Sequence, residues 1–405
     1  MSNAARQIGL INAAHLVTHY CLLILPTAVL VMARPGGSFG AEYGPILTLA
    51  TGMFLLYGLF SLPQGWLAQR LGRKSLITTF YFGAGLSMIA TALARTPLEL
   101  AAGLAGTGLF AAIYHPIGTA MLVDAAGDRP GRALGLNGVF GNLGVSLSPI
   151  VTAFLAGLGG WRLAFLVPGA ICTMLGLFWV RVPASEAHAR AGNRAFPDIP
   201  RPLVHRAIAV LLLIAAASGL VFNAYTLLLP KLMQERLAAS PSLLPLVGLA
   251  AFGVTLCGAL TQFTVGRLID RTTLKKVFLP MAVVLAPGLA MLAIAPGWVA
   301  LPLGAIVAAA IFGQVTVNET MAARYIAPEL RAKMYSIRFF VGFLGAAAAP
   351  PLVGMLYEVT GSLGAVTIVL AAVALVTLGC ALFFPNRPEE LQPELWAQSI
   401  AVAAK

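Results

Sequence analysis

The chain has little charge. Of its 405 residues only 10% are Asp, Glu, Lys or Arg, against about 25% in an ordinary soluble domain. A soluble fold of this length could not bury the apolar surface that a 59% hydrophobic composition carries, which excludes a cytosolic enzyme and a disordered chain. Acids are the scarcer sign: 14 Asp and Glu stand against 26 Lys and Arg, a formal net charge of +12. Cysteine is rare. Cys21, Cys172, Cys257 and Cys380 all fall in apolar stretches without metal-ligand spacing, which argues against a disulfide framework and for small core residues. No Walker-type loop, GxSxG elbow or zinc signature occurs in a suitable context, and Gly103-Leu-Ala-Gly-Thr-Gly108 lies inside an apolar run where glycine permits helix packing. ATP is therefore not the direct energy source, and neither an enzyme nor a bound cofactor is expected. The first apolar stretch, about 8–32, is too long for a signal-peptide core, and no convincing cleavage site follows it.

What the chain has is apolar length. A membrane-spanning helix takes about 20 apolar residues. Twelve such segments can be marked, at 8–33, 43–66, 75–94, 97–124, 132–157, 161–181, 205–233, 243–266, 275–295, 298–325, 333–357 and 362–384. The longest polar interval, 182–204, divides them six and six. The expected fold is therefore an all-α integral membrane protein. Residues 1–181 form an N-terminal six-helix unit, 182–204 a linker, 205–384 a C-terminal six-helix unit and 385–405 a tail.

The positive charge reads first as topology, with no nucleic-acid partner expected. Counting from a cytoplasmic N-terminus, 20 of the 26 basic residues fall in cytoplasmic segments, five on the other side and Arg338 within a span. Basic residues hold loops on the cytoplasmic side, so both termini, the linker and the tail are expected there, in a bacterial inner membrane. The basic loop runs also suit lipid headgroups.

The halves repeat at a steady offset. Gly65-Trp-Leu-Ala-Gln-Arg70 recurs as Gly266-Arg-Leu-Ile-Asp-Arg271, and Pro149 as Pro350, each displaced by 201. Two similar halves suit a transporter that rocks about a site between them.

With these residues in view, the sequence resembles the major facilitator superfamily over essentially its whole length. Gly65, Arg70, Gly72, Arg73 and Lys74 fit that family's loop pattern G-x-L-x-D-R-x-G-R-[RK]. Gly266, Leu268, Asp270 and Arg271 fit its second copy, and Gly160-Trp-Arg-Leu-Ala-Phe165 a common start of the sixth span. The resemblance implies two six-helix bundles related by a pseudo-two-fold repeat, a central cavity lined by spans 1, 4, 7 and 10, and alternating access. It implies gating by Gly65, Gln69, Arg70, Gly72, Arg73, Asp270 and Arg271. Gln69 stands where the family usually has an acid, so the implied charge network is weaker or moved to Asp270. Glu99-Leu-Ala-Ala-Gly-Leu-Ala-Gly106 lacks the arginine of proton-coupled drug exporters, and Ser148 replaces the usual glycine before Pro149. His15-Leu-Val-Thr-His19 and Tyr114-His115-Pro116-Ile-Gly118 resemble the fosmidomycin-resistance-like group of bacterial exporters.

Polar groups at membrane depth are costly and mark functional sites. His15 and His19 lie i, i+4 on one helix face. His19 and His115 sit at comparable depths, roughly 14–17 Å from the inner surface at about 1.5 Å per residue. They read as a protonatable or substrate-contacting cluster, as a metal site, or as hydrogen-bonded packing. Glu319 and Arg338 flank the turn at Pro328-Glu329 and are expected to face each other at one depth, as a proton or cation site or as a structural pair. Their first-half counterparts are Thr119 and Asn137. Tyr114, Asn223, Tyr225, Gln314 and Asn318, with Asn142, are expected as hydrogen-bonding wall residues. Pro26 and Pro230 are expected to kink spans 1 and 7. Asp124 and Arg324, at matching inner ends, read as interfacial residues or gate residues.

The expectation is a monomeric secondary active transporter moving a small organic solute by alternating access. Proton-coupled export driven by the transmembrane proton gradient is the leading form. The alternatives are an importer of a small organic anion or of a metal ion or complex, or a transporter-like sensor.

Overall fold

The computed structural model describes residues 3–126, 130–183, 198–237, 243–392 and 395–396. Within them lie twelve helices long and apolar enough to cross a membrane: α1 (Asn3–Met32), α2 (Tyr43–Ser61), α3 (Arg73–Leu93), α4 (Pro97–Ala125), α5 (Ala133–Gly159), α6 (Trp161–Val180), α7 (Arg201–Arg236), α8 (Leu244–Ile269), α9 (Leu274–Ile294), α10 (Gly297–Tyr325), α11 (Met334–Thr360) and α12 (Leu363–Phe383). Helix is the form such apolar segments must take, because a bilayer offers no water to satisfy the backbone. Hydroxyls inside the spans are satisfied locally: Thr18 donates to Ala14 O at 2.8 Å and Thr107 to Gly103 O at 3.0 Å. Most of the expected linker, 184–197, and most of the end of the tail lie outside the described residues.

Three helices are interrupted: α2 turns at Leu49–Ala50, and the breaks in α1 and α4 lie three to four residues before a proline. Proline lacks the N–H that the carbonyl four residues back would receive. α1 is broken at Leu23, whose N–H turns to Tyr20 O at 3.1 Å, ahead of Pro26. α4 is broken at Ala112–Ile113, ahead of Pro116, with Ile113 N–H on Phe110 O at 3.2 Å. The break in α4 was not anticipated. Pro230, by contrast, lies inside an unbroken α7.

Contacts between helix ends define two ends of the molecule. At one, Arg73 at the start of α3 pairs with Asp124 at the end of α4, and Lys74 donates to Val180 O of α6 at 3.2 Å. In the second half, Arg206 of α7 donates to Phe383 O of α12, and Lys275 of α9 to Leu382 O. This is the basic end. At the opposite end Arg162 of α6 holds Ala94 O at 2.8 Å, and Arg236 of α7 holds Ala293 O at 2.6 Å.

The halves meet through α2 on α11 and α5 on α8. Near the opposite end α2 and α11 touch backbone to backbone. A Cβ on Gly44 would sit 2.3 Å from Gly354 O, and one on Gly354 would sit 2.6 Å from Gly44 O. Gly44 N–H donates to Glu358 at 2.7 Å, Tyr357 OH donates to Glu235 at 2.8 Å, and Lys231 lies 3.6 Å from Glu235 between the Tyr43 and Tyr357 rings.

The apolar core follows the same asymmetry. One continuous buried cluster joins all of α1–α6 to the opposite-end portions of α7–α12, including Leu228, Leu289, Ala300 and Val366. The basic-end portions of α7–α10 and α12 form a separate cluster around Phe278, Met321 and Tyr325. Among the described residues, buried apolar packing thus joins the halves at the opposite end, and the basic-end cluster belongs to the second half alone. Between them near the α1 break, a cavity of about 10 Å³ lined by Leu23, Pro149, Thr226 and Pro230 has room for about one water.

The tail packs on the second half. Glu390 is buried, accepts from Leu274 N–H at the start of α9 and from Tyr325 OH (2.8 Å), and lies 3.8 Å from Arg324; Trp396 is buried beside Tyr325. Burial raises the Glu390 carboxyl above its ordinary range, against the pull of Tyr325, Leu274 N–H and Arg324.

Candidate functional site

The break in α4 sets Tyr114 and His115 at the start of a new helical segment facing α1. There His15, His19 and His115 come together, with their ligating atoms within 4.8 Å of one another. The ring centres lie 4.9 Å apart for His15–His19, 5.1 Å for His15–His115 and 5.3 Å for His19–His115. Glycines on α5 make the space. A Cβ at Gly141 would meet His15 Cε1 at 2.5 Å, and one at Gly144 would meet Leu16 O at 2.2 Å.

His15 is oriented from behind. Its Nδ1–H donates to the Asn137 backbone carbonyl at 2.7 Å, and its ring stacks on Tyr114 at 4.8 Å between centres. A carbonyl only accepts, so Nε2 of the neutral ring keeps a free lone pair. Nε2 of His19 lies 3.2 Å from it. Asn137 Nδ2 holds Tyr114 OH at 2.7 Å and Asn12 Oδ1 at 2.8 Å. His15 and Tyr114 are buried, whereas His19 and His115 are half-exposed.

The second half closes on this wall through α11. Phe339 lies 5.6 Å from the His115 ring, and Phe343 packs edge-on to Tyr57 of α2 at 4.4 Å. The neighbouring Arg338 is half-buried, with its guanidinium carbon 5.8 Å from the Phe339 ring centre. Glu319 is exposed, although its helix is packed among α7, α8 and α9. Glu319 and Arg338 make no ion pair within 4 Å among the described residues, so the expected pairing is a longer-range one. Tyr335 OH of α11 instead donates to the Glu319 backbone oxygen at 3.2 Å. On the same helix Gln314 Nε2 and Asn318 Oδ1 are buried without a hydrogen-bond partner.

The expected wall residues divide. Tyr225 is fully buried and donates to Gly304 O at 2.7 Å, so it ties α7 to α10 and does not line open space. Asn223 is half-exposed and donates back to Gly219 O at 2.8 Å in its own helix. Asn142 donates to Gln262 across the α5–α8 contact at 2.5 Å. Tyr114 is an anchor for His15 and Asn137 and does not line open space, because it is wholly buried behind them. The sequence reading missed Asn12, Tyr57, Phe339 and Phe343. Asn12 stands three residues before His15, a spacing that could have flagged it.

The family model described as the Major Facilitator Superfamily matches residues 16–254 and 211–403. The chain belongs to the Major Facilitator Superfamily. With twelve helices long and apolar enough to cross a membrane among the described residues, it is a multi-pass membrane protein of that family. It is 32% identical over 148 residues to a gallate transporter of Pseudomonas putida, covering 36% of this chain and 32% of that one. It is 24% identical over 221 residues to multidrug resistance protein MdtG of Yersinia enterocolitica, covering 53% of each. The chain thus spans about a third to a half of the length of these curated relatives. Its fold is similar to that of a D-xylose-proton symporter, with a TM-score of 0.77 at 15% identity over 97% of this chain and 99% of that one.

The residues that the superfamily pattern implies for gating lie at the basic end. Gly72 takes φ +78° between the short helix Gln64–Leu71 and α3, a conformation suited to glycine. Gly65 and Gln69 are exposed, and the Arg70 guanidinium lies 4.2 Å from the Trp66 ring centre. Arg73 pairs with Asp124 within the first half. Asp270 and Arg271 are exposed and make no ion pair among the described residues. Arg324 bonds Ile269 O at 2.7 Å within the second half.

Proposed function

We propose that this superfamily member is a secondary active transporter that exports a small organic solute across the bacterial inner membrane in exchange for protons. Residues 1–181 and 205–384 serve as two bundles that rock about the site, with both termini cytoplasmic. The observation that carries the reading is the asymmetry of closure. Among the described residues the buried apolar cluster that joins the halves lies at one end and the basic-end cluster belongs to the second half alone, while Glu319, Arg338, His19 and His115 supply ionisable groups within the spans. Glu319 is the proton carrier: an exposed carboxyl within a span can exchange a proton as access alternates. Arg338 answers its charge in the deprotonated state and takes any anionic part of the solute. The unpartnered amides of Gln314 and Asn318 supply further hydrogen bonds. Export is favoured by the short segments resembling the fosmidomycin-resistance-like exporters and by the likeness to MdtG.

The test is a thermal-shift screen of purified protein against drugs and organic acids, followed by flux of the stabilising compound in proteoliposomes. Flux driven by an imposed proton gradient is expected in the wild type. Flux unchanged after the gradient is dissipated would reject proton coupling.

A second reading is import of a small organic anion. Arg338 in the open space favours it, as does the likeness to a gallate transporter. Accumulation of an aromatic or sugar acid by whole cells, lost in Arg338→Ala, would decide for it.

A further inference from the structure

We propose that His15, His19 and His115 form a binding site for a divalent transition-metal ion of the zinc class. The proposal goes beyond the transport reading and does not depend on it. It rests first on the spacing of the three rings. Imidazole nitrogens bind zinc at about 2.0–2.1 Å, and three of them around a tetrahedral ion place the nitrogens about 3.3 Å apart and the ring centres about 5.2 Å apart. The two Nε2 atoms of His15 and His19 lie 3.2 Å apart. All three pairs of ring centres fall between 4.9 and 5.3 Å. The third ligand completes the set by a small ring rotation, since all the ligating atoms already lie within 4.8 Å of one another.

The second ground is the support behind the ligands. His15 gives its Nδ1–H to the Asn137 carbonyl at 2.7 Å, which fixes the ring and leaves Nε2 with its lone pair. That backing carbonyl is the usual partner of a metal-ligating histidine. The ring is held further by Tyr114 stacked on it and by the Gly141 surface beneath it. An ion would take the place of the proton now shared between the two Nε2 atoms. His19 would then carry its proton on Nδ1, so neutral imidazoles bind with no net proton released.

The third ground is access and preference. His19 and His115 are half-buried and the His115 ring lies 5.6 Å from Phe339 of α11, so three protein ligands leave the fourth tetrahedral position to water or an anion. The set contains no carboxylate or thiolate, so a hard cation such as magnesium or calcium finds no oxygen donors and a borderline ion is preferred. Arg338 opposes a bare cation but favours an anion on the fourth position.

The test is equilibrium binding of Zn²⁺ alone, and the visible spectrum of Co²⁺ alone, on the purified full chain. One ion per chain is expected, with the intense ligand-field bands of a tetrahedral Co²⁺ site. Affinity should fall about tenfold or more in each of His15→Ala, His19→Ala and His115→Ala, and equally for Zn²⁺ and Co²⁺. Because His15→Ala opens a buried space, His19→Gln and His115→Gln, on half-exposed rings, provide the same reading with less risk to folding. Thermal unfolding without metal reports whether each variant is folded. No binding in the wild type, or binding equal in wild type and the folded His19→Gln/His115→Gln double variant, would overturn the proposal. A transport defect alone would not bear on it.

Discussion

At the residue scale, one polar side chain organises the first-half wall. Asn137 offers its carbonyl to His15 and its amide to Tyr114 and Asn12. Asn137→Leu keeps the carbonyl but leaves Tyr114 OH and Asn12 short of partners, at a cost of roughly 1–3 kcal/mol. Chemical unfolding of the purified variant checks this. Asn137 is also the repeat counterpart of Arg338 at the offset of 201. One position thus serves hydrogen bonding in α5 and charge in α11. On the second-half wall, Glu319→Gln preserves shape and removes the titration. Proton-driven accumulation should fall to the level of simple equilibration, while solute exchange without a gradient persists; equal accumulation in variant and wild type would show that the proton travels elsewhere.

At the element scale, the helix pair α2–α11 governs closure of the opposite end. Its close approach depends on Gly44 and Gly354, and its polar bond runs from Gly44 N–H to Glu358. Glu358→Gln weakens a charge-assisted bond by about 1–2 kcal/mol, and Gly354→Val separates the backbones outright. Spin labels on the opposite-end loops should report a larger share of long distances in both, and more in Gly354→Val. A second element-scale device is the tail. Burial raises the Glu390 carboxyl, so the docked tail holds a proton more readily than a free one. The stability it contributes is therefore fullest at low pH and is lost as pH rises through that raised value. Between pH 4 and 7 the thermal midpoint of the wild type should decline more steeply than that of Glu390→Gln, which cannot titrate.

At the scale of the whole molecule, much was legible in the sequence. Apolar segments of span length can only be helices in lipid, so all twelve elements appeared from composition and spacing. The histidine cluster was legible because His15 and His19 share a helix face and His115 lies at their depth. Other features were not. The break at Ala112–Ile113 follows from Pro116, yet a proline in a membrane helix does not always break it, as the unbroken α7 around Pro230 shows. Tyr225 has the composition of a wall residue, but helix rotation turns it onto Gly304 O. Gly44 and Glu358 lie 314 residues apart, and no local pattern announces their contact. Glu319 and Arg338 were expected at one depth and able to pair, and equal depth fixes neither the rotation of α10 nor that of α11.

The central claim is that the space around Glu319 opens at the basic end and is sealed at the other. Of the four cysteines only Cys257 is exposed. In a Cys257→Ser background, Glu319→Cys can therefore be probed with a membrane-impermeant maleimide on everted and right-side-out vesicles. With the basic end cytoplasmic as proposed, the account predicts rapid modification in everted vesicles and protection in right-side-out ones. Modification from the right-side-out face, or from neither, would contradict it.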